Sequence, residues 1–358
     1  MSRCLRVGLV GAGVARSHAE AYRRLPGLYQ LRAVCSLDET RGRDLCDDLG
    51  RSGEAPDFTT DFDALLRRSD LDLIDICTPP ASHFALARAA VASGRDVICE
   101  KPLFASLAEL DEMARLLDGS GRVLMPIFQY RFGTGLRKLR HLLALGLAGR
   151  PILTTIETHW WRGPDYYAVP WRGKWASELG GGLLGHAIHA HDMLTAVHGP
   201  VSELFAFGAT LVNPIETEDT AALSLRMANG SLAALSMTLG SRREISRLRF
   251  CFHDLVAESI TDPYAPARDP WRFSAEEPEH QARIDAALAE VAELPDGYER
   301  QFALFHAALA DGAEPPVTLA DARRSLELVT AAYHSARTGT RVRLPIAPDH
   351  PLYRGWLP

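Results

Sequence analysis

The run Leu5-Arg6-Val7-Gly8-Leu9-Val10-Gly11-Ala12-Gly13 limits what this chain can become more than any other stretch. An apolar segment, Leu5–Val10, ends in Gly-x-Gly and leads into a helical segment, Ser17–Leu25. At such a strand-to-helix turn glycine lets the backbone come close to a pyrophosphate, and the helix N-terminus faces the negative charge. A glycine pair alone is a weak signal, because turns of this kind also need glycine for backbone reasons. The alternation that follows strengthens it. Leu31–Cys35, Leu71–Cys77, Asp96–Cys99 and Val123–Pro126 read as buried strands, and Asp38–Leu49, Asp61–Arg67, Phe84–Ser93 and Leu107–Leu117 as helices. Strands alternating with helices predict βαβ units and a parallel sheet covered on both faces. Residues 1–126 are therefore expected to form a dinucleotide-binding Rossmann domain, a doubly wound parallel sheet, with Gly11, Gly13, Val14 and Ala15 at the cofactor. Arg16 stands where the glycine fingerprint expects a third small residue, so Ala15 is expected to take that role.

Beyond residue 126 the texture changes. Arg137–Leu147 reads as a basic helix, Ile152–Thr158 as a strand, Trp160–Trp175 as an aromatic loop and Leu183–Val197 as one helix. Leu204–Leu211, Thr220–Met227, Ser231–Leu239 and Leu248–His253 follow as strands, Pro263–Pro278 as a loop, and Pro295–Leu309 and Leu319–Arg337 as helices. Strands in succession predict a largely antiparallel sheet. With 358 residues, more than one hydrophobic core usually serves, a second domain over 127–358 is expected, its C-terminal helix packing back on the first.

A formal net charge of −6 speaks against nucleic acid and anionic membrane surfaces as partners, since both need clustered positive charge. The six cysteines lie far apart with no CxxC pair, which fits a reduced, cytoplasmic protein. No segment reads as a signal peptide or a membrane span.

At the end of the second strand, where an acidic residue usually bonds the adenosine ribose, stands Ser36, with Arg41 shortly after. An uncharged residue there and an arginine nearby tilt the expected cofactor toward NADP over NAD. The fourth strand runs into Glu100-Lys101-Pro102. A lysine at the carboxyl end of a parallel strand sits over the ligand crevice, where its ammonium can stabilise charge on a substrate oxygen during hydride transfer.

With Gly11-x-Gly13, Cys77-Thr78-Pro79-Pro80-x-x-His83, Glu100-Lys101-Pro102 and Gly180-Gly181-Gly182 ahead of His189-x-x-Asp192, the chain resembles the glucose-fructose oxidoreductase, inositol dehydrogenase and MocA (Gfo/Idh/MocA) family over its whole length. The resemblance implies a Rossmann domain followed by an α/β domain with a large open sheet used for oligomerisation, giving a homodimer or homotetramer. It implies that Thr78, Pro79 and His83 border the nicotinamide, and that Glu100 and Lys101 lie at cofactor and substrate. It also implies a catalytic histidine at His189 with Asp192 three residues on. The family's aspartate four residues before that histidine is absent, because Gly185 stands there.

On one helix His186 and His189 would share a face, as would His189 and Asp192. A histidine titrating near neutrality can exchange the proton that accompanies hydride loss from a carbinol. Lys101, His189 and His186 are thus the candidate catalytic residues. A catalytic metal is not expected, since the spacing lacks an HExxH arrangement and the family uses none. The aromatic loop gathers four of the six tryptophans among arginines and an aspartate, which suits a carbohydrate ring or a packed junction. Arg162, Tyr167, Trp171, Arg172 and Asp192 are the expected substrate contacts. The expected activity is hydride transfer between a nicotinamide and a carbinol or carbonyl of a sugar, sugar derivative or polyol such as inositol. The alternatives are an NAD-dependent glycosidase or eliminase using transient redox chemistry, and a catalytically silent dinucleotide sensor.

Overall fold

The computed structural model describes residues 3–51 and 53–358. Two compact units emerge. The first takes in the chain up to Ala105, Glu109–Ile127 and Tyr298–Ala322; the second takes in Ser106–Ala108, Phe128–Gly297 and Arg323–Pro358.

In the first unit, β1 (Leu5–Val10), α1 (Ala15–Arg23), β2 (Tyr29–Cys35), α2 (Glu39–Gly50), β3 (Asp57–Thr59), α3 (Phe62–Leu66), β4 (Leu73–Ile76), α4 (His83–Ala92), β5 (Asp96–Cys99), α5 (Leu107–Leu117) and β6 (Leu124–Pro126) alternate. The strands form one parallel sheet in the order β3-β2-β1-β4-β5-β6. Burial on both faces explains their near-continuous apolar sequences, Val7, Leu9, Leu73, Ile74 and Ile76 all being fully buried. The order reverses between β1 and β4, and the crevice at such a switch point, beyond the carboxyl ends of the strands, is where an open α/β sheet takes its ligand. The turns after β1, β2, β4 and β5 all open on that edge. A helix from the far end of the sequence, Gly297–Asp311, completes this core: Phe302 stacks on Tyr22 at 4.7 Å between ring centroids, and the Tyr29 hydroxyl donates to the Phe302 carbonyl. Residues 298–322, expected in the second domain, thus belong to the first unit, because the helix's apolar side is matched to the aromatic side chains of α1 and β2.

The second unit holds α6 (Thr134–Ala144), β7 (Pro151–Trp161), α7 (Pro164–Tyr167), α8 (Trp175–Glu178), α9 (Gly182–Gly185), α10 (Ile188–His198), β8 (Val201–Ala209), β9 (Thr220–Met227), β10 (Leu232–Thr238), β11 (Gly240–Phe252), β12 (Val256–Glu258), β13 (Arg272–Ser274), α11 (Pro278–Ala289), then, after α12 (the Gly297–Asp311 helix), α13 (Leu319–Thr338) and β14 (Val342–Arg343). Its eight strands run β13-β12-β11-β7-β10-β9-β8-β14, antiparallel except for β10 beside β7. Along β9 buried and exposed positions alternate, so one face packs inward and the other meets solvent.

Three expectations are corrected. The helix expected over Leu183–Val197 is two, α9 and α10, broken at His186, whose φ of −121° and ψ of −56° leave the helical region. Trp160 and Trp161 end strand β7 rather than open a loop. Helix α11 was not anticipated, since it buries only Ile284 and Ala287 and shows too thin an apolar stripe to read. Among the described residues no helix is long and apolar enough to cross a membrane.

Candidate active site

In the first unit, the candidate cofactor turn begins at Gly11. Its φ is +110°, and a side chain there would come within 2.6 Å of the Cys77 carbonyl, so strand packing and backbone both require glycine. At Gly13 neither holds: a Cβ would meet nothing of the protein within 4 Å. Helix α1 follows with Val14 as its N-cap residue and no side-chain cap on its amides. Open space over an uncapped helix N-terminus fits a dinucleotide pyrophosphate. Ala15 is fully buried in the cluster of Leu9, Ala19, Val34 and Cys77, while Arg16 turns outward to Asp48.

At the end of β2, Ser36 is buried, and its hydroxyl accepts from the Asp38 N–H and donates to the Asp38 carbonyl. Asp38 caps α2 through the Arg41 N–H and pairs with the Arg41 guanidinium at 3.4 Å. Between them Leu37 is 93% exposed. A bare leucine beside the turn offers an apolar surface to a flat ring such as adenine, and nothing in the sequence singled it out.

After β4, the Thr78 hydroxyl bonds Ser82, and Pro79 is exposed. His83 is fully buried, its ring nitrogens 2.8 Å from the Thr78 carbonyl and 2.9 Å from the Pro102 carbonyl. Burial pushes its pKa down. Instead of bordering a ligand it ties the Thr78 turn to the turn carrying Lys101. Glu100 is corrected likewise: it is buried, with Oε1 accepting from His18 and Tyr298 and Oε2 from the Lys101 N–H. Lys101 itself is half-buried at the end of β5. His18, which the sequence reading passed over, sits beneath this turn between Asp75 and Glu100.

The second unit carries a small recess lined by Tyr130, Glu157, Trp160, His186, His189 and Ser246 among others. His189 stacks on Tyr130 with ring centroids 4.2 Å apart. The His186 Nε2 lies 3.1 Å from the Tyr166 hydroxyl, and its ring stands edge-on to Trp160. The two histidines meet at one recess across the helix break, not along one helix face. Trp160 is held by its indole N–H donating to Ser246.

Asp192 is not open to a substrate. It is fully buried and accepts two bonds from Arg131, one at 2.6 Å. Arg162 donates to Glu244 and Tyr264, and its guanidinium lies 5.2 Å from the Trp160 ring. Arg172 bonds the Tyr166 hydroxyl, pairs with Glu178 at 3.5 Å and covers the Trp171 ring. Tyr167 packs edge-on to Tyr166. Tyr167, Trp171 and Arg172 therefore build the wall behind Tyr166, and none of them lines the recess. Buried Glu178 was missed as well; one of its oxygens lies 4.0 Å from where a Cβ on Gly185 would stand, so a carboxylate from α8 reaches the position that Gly185 leaves bare.

Each glycine of the triple run is close-packed, Gly180 against the Tyr333 hydroxyl, Gly182 against Met237 and Gly181 against Glu218. The Glu218 carboxylate accepts from the Gly181 and Leu183 amides and the Tyr333 hydroxyl, and a side chain on Gly181 would run into the Glu218 carbonyl. Burial pushes the Glu218 carboxyl up to about 7 against those bonds.

Residues 5–128 match the oxidoreductase family with an NAD-binding Rossmann fold (GFO/IDH/MocA), and residues 136–253 match the GFO/IDH/MocA C-terminal domain. The chain is 26% identical over 362 residues to the uncharacterized oxidoreductase YrbE of Bacillus subtilis, spanning 98% of each. It is 28% identical over 249 residues to the myo-inositol 2-dehydrogenase of Thermotoga maritima, spanning 67% of this chain and 70% of that one. The crystal structure of the WlbA dehydrogenase from Bordetella pertussis in complex with NADH and UDP-GlcNAcA superposes with a TM-score of 0.82 at 26% identity, over 96% of this chain and all of that one.

Proposed function

The chain belongs to the Gfo/Idh/MocA family of NAD(P)-dependent oxidoreductases, and from that premise we propose that it transfers a hydride between NAD(H) and a carbinol or carbonyl of a sugar, sugar derivative or polyol. The observation that carries this reading is the turn at Gly13, where open space over an uncapped helix lies at the switch point of a parallel sheet whose β5 ends in Lys101. The bound nicotinamide supplies the hydride acceptor or donor. Gly11, Gly13 and Val14 hold the pyrophosphate, Thr78 and Pro79 border the nicotinamide, and Leu37 covers the adenine.

Two features support NAD over the NADP that Ser36 and Arg41 first favour. Asp38 engages the Arg41 guanidinium, and its carboxylate adds negative charge next to where a 2′-phosphate would sit. The related dehydrogenase from B. pertussis was solved with NADH.

On the substrate side, the Lys101 ammonium donates to the reacting oxygen and stabilises its developing charge. His189 takes the hydroxyl proton in oxidation and returns it in reduction. Stacking on Tyr130 orients its ring. His186, held by Tyr166, is a second hydrogen-bonding group of the same recess, and Glu178 supplies the carboxylate charge that Gly185 does not. Trp160 and Tyr130 offer flat faces to the C–H side of a sugar ring. Relatives acting on inositol and a sugar nucleotide bound in the B. pertussis structure support the substrate class. We also propose a homodimer or homotetramer through the solvent face of the second unit's sheet, where Leu153, Phe207 and Leu232 stand exposed.

The test is turnover: the purified protein with NAD+ or NADP+ and a panel of inositols, aldoses and their uronic acids, followed by nicotinamide absorbance. Reduction by any panel member with NAD+ supports the reading, and none with either nucleotide counts against it.

A further inference from the structure

Beneath the Glu100-Lys101 turn runs a buried charged row that the proposed chemistry does not use. His18, on the inner side of α1, is fully buried. Its Nδ1 lies 2.8 Å from an Asp75 oxygen and its Nε2 3.0 Å from a Glu100 oxygen. A neutral imidazole has one N–H and one lone pair, so it would turn that lone pair against a carboxylate at one end or the other. Donation from both nitrogens, which the geometry calls for, requires the imidazolium. The carboxylates are themselves held: Asp75 accepts from the Tyr22 hydroxyl at 2.7 Å, and Glu100 accepts from the Tyr298 hydroxyl at 2.8 Å and the Lys101 N–H at 3.0 Å. Tyr298 and Phe302 close over the imidazole, with ring centroids 4.5 and 5.3 Å away. His18, Asp75 and Cys77 lie close enough together to suggest a metal site. Nδ1 is engaged by Asp75, however, and burial pushes the Cys77 thiol's pKa up, which disfavours the thiolate a metal needs.

We propose that His18 is a positioning residue for Lys101: as an imidazolium it keeps Glu100 ionised and fixed, and Glu100, through the backbone amide of residue 101, fixes the turn from which the Lys101 side chain rises. Burial alone would lower the pKa of His18, but the Asp75 charge and hydrogen bond outweigh it and hold it well above the usual imidazole range. Burial would likewise raise Glu100; the bond and charge of His18, with Lys101 and Tyr298, bring it down to about 2 instead. The titratable groups facing this row are Tyr22 from α1, Asp75 and Cys77 from β4 and the turn after it, His83 from α4, Cys99 and Lys101 beside Glu100, and Tyr298 from α12. Two carboxylates against one imidazolium leave a net negative charge beneath the turn that carries Lys101.

The kinetic consequence rests on the dehydrogenase reading, whereas the charge state of His18 does not. Imidazole nitrogen NMR of the wild-type protein, assigned by loss of the signal in His18→Gln, is expected to show both His18 nitrogens protonated from about pH 6 to 9. A neutral ring at pH 7.5 overturns the proposal, whether or not any substrate turns over. With a working substrate followed in the reducing direction, where His189 acts as the acid and gives no acid limb of its own, His18→Gln removes the charge that holds Glu100 ionised, so kcat gains an acid limb between about pH 5 and 7 that the wild type lacks. At the low end of that window kcat falls on the order of tenfold to a hundredfold below wild type, while NADH affinity stays within about twofold. A fall that is uniform across pH, or an unchanged profile, overturns the positioning role. Should His18→Gln fail to fold, Tyr298→Phe removes one bond to Glu100 and is expected to bring in the same limb at lower pH; a profile identical to wild type again contradicts the proposal.

Discussion

In the proposed mechanism, removal of Lys101 separates binding from chemistry. Lys101→Ala deletes one donor to the reacting oxygen, and loss of such a donor costs on the order of 10²–10³ in kcat. NADH affinity, measured by fluorescence, is expected to change little, because the pyrophosphate turn lies on β1 and α1. A comparable loss of nucleotide affinity contradicts the assignment. Lys101 was legible in the sequence because its neighbours in the chain, Glu100 and Pro102, mark the turn it sits in. His18 was not, because its meaning comes from Asp75 and Glu100, which are far away in sequence and come together only in the sheet. Asp192 was read as a substrate contact for the converse reason: helical spacing to His189 is visible in sequence, but the Arg131 that takes up its carboxylate is not.

Among the elements, the turn Gly180–Gly182 and the short helix after it decide where His186 lies. Sequence marked the glycines and predicted an unbroken helix; the Glu218 carboxylate and Tyr333 hydroxyl that hold the Gly181 and Leu183 amides at the start of α9 come from a turn before β9 and a helix remote in the chain. The βα alternation of the first unit was legible where its strands are buried, as β4 and β5 are, but the three-residue β3 was not, because Asp57 is exposed and Phe58 and Thr59 only half-buried. Helix α11 and the three-residue β13 were not either, because they bury too little to leave a pattern. Glu218 gives this turn a pH signature. Its carboxyl is raised to about 7 in the folded protein by burial, above its unfolded value, so the folded state holds the proton more tightly. The stability this contributes is complete below about pH 4.5 and is lost as pH rises toward 7, with a slope no steeper than about 1.4 kcal/mol per pH unit. Glu218→Gln cannot titrate, and its thermal midpoint is expected to fall less than that of the wild type over this interval. Parallel melting curves against pH for the two proteins contradict the assignment.

At the scale of the whole molecule, the proposed oligomer would place its contact on the solvent face of the eight-stranded sheet. The solvent face of the eight-stranded sheet carries Phe207 at 67% exposure and Leu232 at 45%, in strands otherwise patterned for a half-buried sheet. If two copies meet there, Phe207→Glu places charges in an apolar contact, and sedimentation is expected to show the mutant dissociating while the wild type remains a dimer or tetramer. A wild-type monomer, or a mutant of unchanged mass, contradicts that surface.

Fluorescence titration of the wild-type protein with NADH and NADPH tests most directly whether the Gly11–Val14 turn holds a nicotinamide dinucleotide for hydride transfer. The account expects saturable binding of both or of NADH alone, tighter for NADH, and loss of that binding when a bulky side chain fills the open space in Gly13→Val. Absence of saturable binding by either nucleotide contradicts the cofactor assignment and, with it, the proposed activity.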